Sequence, residues 1–346
     1  MFSPLATADL DHILAHTERL WKPLRGEHVF LSGGTGFFGH WLVESFLHVN
    51  RALNLRASLT VLSRAPKKFL RNAPHLAGAE GLQLLAGDVR HFDFPPGEFG
   101  CIIHAATAAS QKLTDDDPRA MLSTIVDGTA RMIALAQSHG TRRFLLTSSG
   151  AVYGRQPDTV ERVREDYDGA PDPLVAGTVY GQGKRMAEHL CALAAREGTV
   201  QYQIARCFAF VGPHLPLDAH FAVGNFLGDA LAGRPMHIQG DGRPLRSYLY
   251  AADLAIWLWT ILLEGQSLRA YNVGSEEALS IRALAKTVQQ TLGRPEAIDV
   301  RQKTDPLAPV PRYVPDTRRA RTELGLAAWI DLPEALRRTA RWHTDV

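Results

Sequence analysis

One segment limits what this chain can fold into: the apolar run 28–32 leads into glycines spaced Gly-x-x-Gly-x-x-Gly, and an amphipathic pattern follows. In a strand–turn–helix, Gly33 permits the tight turn, Gly36 lets the backbone approach a pyrophosphate, and Gly39 lets the helix lie close to the strand. The free N–H groups at the start of that helix attract phosphate. The alternative is a glycine-rich turn without a ligand, but its place after the first strand favours a dinucleotide site. The residues assigned to this turn are Gly33, Thr35, Gly36, Phe37, Phe38 and Gly39.

Strand-like and helix-like runs alternate along the chain. Most strand-like runs are apolar on both faces, as the central strands of a parallel sheet are when helices cover both sides. This alternation predicts an α/β fold with a doubly wound parallel sheet of the Rossmann type. Two later strand-like segments, 246–251 and 270–274, are expected to join the same sheet. The earlier predicted strands are 28–32, 58–63, 82–89, 101–106, 143–149 and 200–206.

The alternation breaks up beyond Gly212, where prolines and glycines become frequent. We therefore expect two parts with different tasks. The dinucleotide-binding domain is predicted to span 1–212, and the segment 247–275 returns to it. The segments 213–246 and 276–346 are expected to form a smaller C-terminal lobe that binds the substrate.

Charge and cysteine content argue against several classes of protein. The formal net charge is +2 with acids and bases interspersed, so nothing favours a nucleic-acid partner. Cys101, Cys191 and Cys207 are odd in number and lack Cys-x-x-Cys spacing, which argues against a disulfide framework or a structural zinc site and fits a reducing cytoplasm. The N-terminus has no signal pattern, and the most apolar segment, 254–263, is too short for a bilayer span of about 20 residues. We predict a cytoplasmic protein without a metal site or a membrane partner.

The end of the second predicted strand bears on the choice of cofactor. NAD sites usually carry an acid there, which binds the ribose 2′-hydroxyl. This strand ends in Ser63 and Arg64, and a guanidinium suits a 2′-phosphate, so these residues lean towards NADP. In the alternative, Arg64 stacks on the adenine or faces solvent. Asp88, with Val89 beside it, follows the third strand and is a candidate contact for the adenine edge.

Two segments carry the candidate catalytic residues. The strand 143–149 delivers hydroxyl groups at its carboxyl end, where open α/β sheets bind ligands, and we assign Ser149 and Ser148 to the site. Tyr180 and Lys184 lie four residues apart in a predicted helix, so the phenol and the ammonium share one face. A neighbouring ammonium lowers the pKa of a tyrosine, which can then remove a proton from a sugar hydroxyl while hydride passes to a nicotinamide. On its own, such a pair usually consists of two surface residues. In a chain that also carries a dinucleotide-binding turn, it indicates a redox site.

With these motifs the chain resembles the extended short-chain dehydrogenase/reductase family, and within it the nucleotide-sugar epimerases and dehydratases. The resemblance covers nearly the whole chain, including the block GDGRPLRSYLYAADLA at 240–255. It implies bound NAD or NADP, with Tyr180 and Lys184 also touching the cofactor, and a nucleoside-diphosphate sugar as substrate. It further implies that two arginines, Arg246 and Arg312, meet the diphosphate. The other contacts implied by position are Ala105, Ala106 and Thr107 for the nicotinamide ribose, and Asn225 and Phe226 for the nucleotide.

One departure from the family pattern narrows the chemistry. Dehydratases of the family follow the strand-end hydroxyl with an Asp-Glu pair, and related decarboxylases keep the glutamate, whereas this chain has Gly150 and Ala151. Without that base, elimination of water by the usual route is hard to write. A later loop supplies His214, Asp218 and His220, either as contacts to the substrate or as a replacement acid/base set.

The remaining residues support oxidation and reduction at a single carbon. The leading hypothesis is an NAD(P)-dependent 4-epimerase that works through a transient 4-keto sugar. The alternative is a ketoreductase that consumes NADPH to reduce a 4-keto sugar. A 4,6-dehydratase with a non-standard acid/base, and a non-catalytic dinucleotide-binding protein, are less favoured. A homodimer is expected through a four-helix bundle, from apolar faces of the helices near 118–138 and 180–196. Those faces comprise Met121, Ile125, Ile133, Ala187, Leu190, Cys191 and Ala194.

Overall fold

Seven parallel strands form the central sheet of the computed structural model, which describes residues 2–107, 116–219, 221–295, 297–305 and 307–344. The strands in chain order are β1 (His28–Ser32), β2 (Ser58–Ser63), β3 (Leu82–Ala86), β4 (Cys101–His104), β5 (Arg143–Ser149), β6 (Gln201–Cys207), β7 (Phe210–Val211), β8 (Met236–Ile238), β9 (Leu245–Arg246), β10 (Leu249–Tyr250), β11 (Ala270–Val273), β12 (Leu279–Ser280), β13 (Ile298–Val300) and β14 (Arg312–Tyr313). The order across the central sheet is β11-β6-β5-β4-β1-β2-β3. Because the order reverses between β1 and β4, the sheet is doubly wound and the predicted fold class is confirmed.

Helices cover both faces of this sheet. They are α1 (Thr7–Thr17), α2 (Phe37–Ala52), α3 (Pro66–Asn72), α4 (Pro118–Ser138), α5 (Val179–Ala194), α6 (Ala222–Leu231), α7 (Ala251–Glu264), α8 (Ile281–Thr291), α9 (Arg318–Leu324) and α10 (Leu332–Thr344). Successive residues of β1 point to opposite faces: Val29 and Leu31 pack in one core with α2 and α7, and Phe30 packs in the other with α4 and α5. The apolar segment 254–263 lies in α7 and is buried. No helix in the described ranges is long and apolar enough to cross a membrane.

Short strands form three small sheets apart from the central one: β10 with β7, β9 between β12 and β14, and β13 with β8. Our expectation that 246–251 joins the central sheet is wrong, because Arg246 pairs instead with Leu279 and Tyr313. The later segment does join it, since β11 pairs with the edge strand β6. The sheet of β9 and β14 brings Arg246 and Tyr313 to the cleft described below.

Helices α4 and α5 pack against each other and bury the faces that we assigned to a dimer interface. That assignment is wrong in its residues, because the second face of the sheet must be covered and these two helices cover it. Their outward sides expose other apolar side chains, Leu122, Met186 and Leu193. The residues used inside the chain are Met121, Ile125, Ile133, Ala187, Cys191 and Ala194, with Leu190 partly buried beside them.

Candidate active site

The glycine turn between β1 and α2 is packed backbone against backbone. Gly33 has a φ of +80°, and a Cβ added there would lie 2.4 Å from the carbonyl of Ala105. A Cβ on Gly39 would lie 2.3 Å from the backbone of Gly34. On Gly36, a Cβ would meet nothing closer than the Gly33 oxygen at 3.6 Å, yet Gly36 lines the cleft. The protein's own packing therefore requires glycine at 33 and 39, whereas glycine at 36 keeps the open side free for a phosphate.

One end of the cleft is lined by residues that follow β2 and β3. The buried Ser63 hydroxyl accepts a hydrogen bond from the amide of Ala65 at 3.2 Å. The Arg90 guanidinium donates to the two carboxylate oxygens of Asp88 at 2.8 and 2.9 Å, and these bonds lower the pKa of Asp88 to about 2. Arg64 is exposed at the cleft and has no ion pair within the described ranges. The other predicted cofactor contacts that line the cleft are Thr35, Phe37, Phe38, Val89, Ala105, Ala106 and Thr107.

Lys184 is held in the interior by two hydrogen bonds. Its Nζ donates to the hydroxyl of Thr107 and to the carbonyl of Thr147, each at 2.7 Å, and the residue is 3% exposed. Burial lowers the pKa of Lys184 to about 8. The Nζ lies 5.8 Å from the centre of the Tyr180 ring, so α5 brings both side chains to one place. Sequence reasoning missed Thr147, although it precedes the predicted serines in the same strand.

Three hydroxyl groups meet near this lysine. Tyr180 is hydrogen-bonded to Ser149, whose hydroxyl oxygen lies 3.3 Å from the phenol oxygen of Tyr313. Burial raises the pKa of Tyr180 and Tyr313 raises it further, while the bond to Ser149 acts in the opposite direction. Burial likewise raises the pKa of Tyr313 to about 12. The predicted lowering of the Tyr180 pKa is therefore wrong for the protein without ligands, because burial raises this pKa. Both phenols hold their protons at neutral pH.

Sequence reasoning chose Arg312 and missed its neighbour Tyr313. The residues lining the cleft include Tyr313 but not Arg312. Successive side chains of a strand point to opposite sides, so only one of the two residues of β14 can face the cleft. That alternation, applied to the segment that carries Arg312, is the signal that could have found Tyr313.

The rings of Phe208 and Tyr313 occupy the space next to Gly150. Their centroids lie 4.7 Å apart. A Cβ on Gly150 would come within 2.7 Å of the Phe208 ring and 2.8 Å of the Tyr313 hydroxyl. A carboxylate side chain at this position therefore does not fit unless both rings move.

Ser148 belongs to a polar network between β5 and α5. Its hydroxyl donates to a carboxylate oxygen of Glu188 at 2.5 Å, and Arg206 donates to the same carboxylate at 2.7 Å. Arg206 also donates to the phenol oxygen of Tyr153 at 2.9 Å. The Ser148 hydroxyl is therefore engaged in holding α5, the helix that carries Tyr180, against the sheet.

The other end of the cleft is lined by Arg246 and Tyr248. The Arg246 guanidinium donates to the carbonyl of Leu245 at 2.8 Å and lies 5.8 Å from the centre of the Tyr313 ring. No carboxylate in the described part of the chain pairs with it, and burial lowers its pKa. A half-buried guanidinium that faces a cleft without an acid partner is suited to an anion such as a diphosphate.

Several predicted substrate contacts lie elsewhere. Phe226 is 2% exposed and belongs to the apolar core, because α6 turns it inwards, and Asn225 beside it is not among the residues that line the cleft. The His214 side chain is also buried away from the cleft. Asp218 is exposed in the same loop, and His220 lies outside the described residues.

The lining residues enclose one continuous cleft of about 1440 Å³, from the glycine turn past Tyr180 to Arg246. Its parts are the glycine turn, a tyrosine–lysine pair and a guanidinium without an acid partner among the described residues, an arrangement typical of dinucleotide-dependent α/β enzymes. Residues 29–274 match the model of the NAD dependent epimerase/dehydratase family, and the chain belongs to this family. The resemblance to extended short-chain dehydrogenase/reductase enzymes is thereby confirmed.

Individual proteins show the same relationship. The chain is 31% identical over 315 residues to UDP-glucuronic acid decarboxylase 2 of Arabidopsis thaliana. The aligned region covers 90% of this chain and 67% of that protein. Its fold is similar to UDP-N-acetylglucosamine 4-epimerase from Methanobrevibacter ruminantium, with a TM-score of 0.79 and 18% identity over 92% of this chain and 98% of that one. It is also similar to dTDP-glucose 4,6-dehydratase from Streptomyces venezuelae with NAD bound, with a TM-score of 0.77 and 22% identity over 92% and 97% of the two chains.

Proposed function

We propose that this protein is an NAD-dependent 4-epimerase of a nucleoside-diphosphate sugar. The observation that carries the proposal is the continuous cleft, in which Tyr180, Lys184 and Ser149 lie between the glycine turn and Arg246. A ligand that reaches from the tyrosine to Arg246 needs a reactive hydroxyl at one end and a diphosphate at the other. A nucleoside-diphosphate sugar has both.

Tyr180 is the group that moves the proton of the sugar 4-hydroxyl. Ser149, beside Tyr180, orients that hydroxyl. Burial keeps the phenol protonated in the ligand-free protein, so the first step depends on the Lys184 ammonium, 5.8 Å from the ring centre, to favour the ionised phenol. A bound nicotinamide dinucleotide supplies a hydride acceptor and donor. When the transient 4-keto sugar is reduced on its other face, the protonated Tyr180 returns the proton. Tyr313, beside Ser149, offers a second O–H to the same oxygen.

The surroundings of Gly150 favour epimerisation over dehydration. The family's dehydratases use an Asp-Glu pair after the strand-end hydroxyl, but here Phe208 and Tyr313 fill the space beside Gly150 and the second position is Ala151. No carboxylate at this position can therefore remove the proton from C5. Epimerisation at C4 requires only the phenol of Tyr180 and the hydroxyl of Ser149.

A second candidate is decarboxylation of a nucleoside-diphosphate hexuronic acid, which the similarity to UDP-glucuronic acid decarboxylases favours. Oxidation at C4 would turn such a substrate into a β-keto acid, which loses carbon dioxide as the C–C bonding electrons move towards the ketone. That step needs no base at position 151, only a proton donor for C5 afterwards. Tyr313 is placed near enough to Ser149 to be that donor.

Product analysis separates these reactions. Purified protein is incubated with UDP-glucose, UDP-N-acetylglucosamine and UDP-glucuronic acid in turn, and products are identified by mass spectrometry and NMR. Formation of an isomer of unchanged mass is expected. Loss of carbon dioxide from UDP-glucuronic acid alone would replace the proposal by decarboxylation, and loss of water would replace it by dehydration.

The retained cofactor gives an independent test. An epimerase regenerates its dinucleotide in each cycle, so denatured, freshly purified protein should release near-stoichiometric NAD, identified by mass spectrometry. The family and its NAD-bound relatives support NAD, whereas the exposed Arg64 leans towards NADP. Protein that retains no dinucleotide and binds added NADPH tightly would instead be a ketoreductase, and the epimerase proposal would fail.

We also propose a cytoplasmic homodimer, with α4 and α5 forming its interface through their outward sides. Leu122, Met186 and Leu193 are exposed on these sides and would be covered. Light scattering at micromolar protein should give twice the chain mass. A monomer would contradict the assembly but not the chemistry.

A further inference from the structure

A second group of titratable side chains lies outside the cleft. His40 and Glu44 are four residues apart on α2, so they share one face, and His214 reaches them from the loop after β7. The three side chains are 3%, 5% and 2% exposed, in that order. We call these three residues the histidine cluster. None of them lines the catalytic cleft.

The cluster leaves most of its polar atoms unpartnered. Both ring nitrogens of His40, both of His214 and the Oε1 atom of Glu44 are buried without a hydrogen bond in the described part of the chain. The other carboxylate oxygen, Oε2, accepts a hydrogen bond from the amide of Leu5 at 2.7 Å. Buried polar groups are nearly always paired, because burial without a partner is unfavourable. Five such atoms in one place indicate a ligand that they share.

The separations within the cluster suit a shared ion better than direct bonds. Glu44 Oε1 lies 3.9 Å from Nδ1 of His40, 3.6 Å from Nε2 of His214 and 3.4 Å from Nε2 of His75. Direct hydrogen bonds span only about 2.7–3.2 Å. Ligand atoms placed tetrahedrally about 2.0–2.1 Å from a zinc ion lie about 3.3–3.4 Å from one another. The separations from Glu44 to His214 and to His40 exceed such an edge by about 0.2 and 0.5 Å, so the two rings would move inwards to bind an ion.

We propose that His40, Glu44 and His214 bind a zinc-type divalent metal ion, and His75 lies beside the site, 3.4 Å from Glu44. Imidazole nitrogens and a carboxylate oxygen are ligands that zinc prefers. The His40 and His214 rings are stacked, with centroids 3.8 Å apart and planes 7° apart, so both rings must turn out of this stack for their nitrogens to bind the same ion.

Aromatic side chains close the site on other sides. Phe2 lies edge-on to both stacked rings with centroids 5.2 Å away, Phe69 contacts His40, and Trp342 contacts His214 at 4.5 Å. The three ligand side chains are buried and lie away from the cleft that the substrate would enter. The site is therefore structural, not catalytic.

The ion would fasten distant parts of the chain to the helix that follows the glycine turn. Its ligands come from α2 and from the loop after β7, and the short helical turn Pro74–Leu76 lies beside them through His75. The N-terminal segment touches the cluster through Leu5, and α10 through Trp342. Metal binding should thus stabilise the packing of both chain ends on the dinucleotide-binding part.

The test begins with untagged wild-type protein. It is incubated with zinc chloride, dialysed against metal-free buffer and analysed by inductively coupled plasma mass spectrometry, and about one zinc per chain is expected. A strong chelator should lower the melting temperature, and added zinc should restore it. Cobalt(II) substitution should give the intense visible absorption of a tetrahedral site. A wild-type protein that retains no zinc, with a melting temperature indifferent to chelator, would overturn the proposal.

Variants locate the ion. His40→Gln and His214→Gln should lose the zinc and the chelator response, and His75→Gln should bind it more weakly. The matched control is His237→Gln, which removes an exposed histidine paired with Asp299 at 3.2 Å, and it should retain the metal. Zinc retained in full by folded His40→Gln protein would show that the metal lies elsewhere. If either cluster variant fails to fold, the cobalt spectrum and chelator response of the wild type still decide.

Discussion

The two ends of the cleft are built in different ways. The dinucleotide end is the end that contains the glycine turn, and its contacts are between backbone atoms. A Cβ on Gly33 would meet the carbonyl of Ala105, and a Cβ on Gly39 would meet Gly34. The substrate end is the opposite end, and it is lined by side chains on two-residue strands, chiefly Arg246 and Tyr313.

This difference separates what is fixed from what can vary. A backbone contact allows no larger residue, so the dinucleotide end tolerates few substitutions. The substrate end presents side chains that can change without disturbing the central sheet. Substrate choice is therefore expected to depend on the second region, and the chemistry on the residues between the two.

The largest expected effect on activity comes from Tyr180, which lies between the two ends of the cleft. Tyr180→Phe removes the proton-transferring hydroxyl and should lower kcat by about 10²–10⁴-fold, the usual contribution of general acid–base catalysis. Steady-state kinetics with the substrate found by product analysis would measure it. The matched control is Tyr202→Phe, which removes a buried hydroxyl that has no hydrogen-bond partner among the described residues, and it should keep full activity. Equal rates for both variants would remove Tyr180 from the mechanism.

Lys184, the residue between the two ends, should make stability depend on pH. Burial lowers its pKa from 10.5 to about 8, so the folded state disfavours the charged form relative to the unfolded chain. The unfolded state binds more protons between these values, so this contribution to the free energy of unfolding rises with pH there. The full difference is about 3 kcal/mol, at 1.36 kcal/mol per pH unit. The penalty is fully present below about pH 8.

Urea unfolding at about pH 7 and about pH 10 would measure this difference. The wild type should gain stability relative to Lys184→Met between the two values. Other titrating groups cancel in the comparison, because both proteins share them. Parallel pH profiles for the two proteins would mean that Lys184 keeps an ordinary pKa.

At the substrate end, Arg246→Gln should weaken binding of UDP by about 10–100-fold, because a hydrogen bond to a charged group is worth about 1.5–3 kcal/mol. Isothermal titration calorimetry would measure it. The ligand-free variant should be no less stable, since Arg246 is half-buried without an acid partner. Arg243→Gln is the control, because Arg243 already pairs with Asp241. If Arg312→Gln weakened binding more than Arg246→Gln, the assignment of the diphosphate to Arg246 would be wrong.

Distance along the chain explains what the sequence could predict. The glycine turn and the Tyr180–Lys184 pair are local patterns, in which a spacing of a few residues fixes which groups meet. Tyr313 reaches Ser149 only because β14 pairs with β9, and two-residue strands carry too little pattern to be recognised. The parallel direction of the central strands was predictable, because most of these strands are long enough for the sequence to show that both faces are apolar.

The position of His214 was predicted wrongly because the sequence did not reveal one backbone angle. It lies in the loop that we expected near the sugar, but its φ of +69° is in the left-handed region, and its ring stacks on His40. No spacing rule connects His214 with a residue on α2, so the histidine cluster was not foreseen, and the three cysteines gave no sign of a metal.

The smallest expected effect tests the dinucleotide end itself. Gly36 has an extended backbone, with φ −94° and ψ −174°, and space for a Cβ. Gly36→Ala should therefore lower the free energy of unfolding by no more than about 1 kcal/mol, because alanine is a poorer N-cap than glycine but its Cβ meets no close atom. A methyl group at this position would meet the pyrophosphate, so affinity for NAD should fall about tenfold, or about 1.4 kcal/mol.

Gly39→Ala supplies the contrast, because its Cβ would meet backbone that cannot move away. This variant should lose stability in urea unfolding, and NAD affinity should fall only as a consequence. The two variants thus separate a glycine kept for a ligand from a glycine kept for packing. Unchanged NAD affinity in Gly36→Ala would mean that the phosphates lie away from this turn, and the backbone-built end of the cleft would need another explanation.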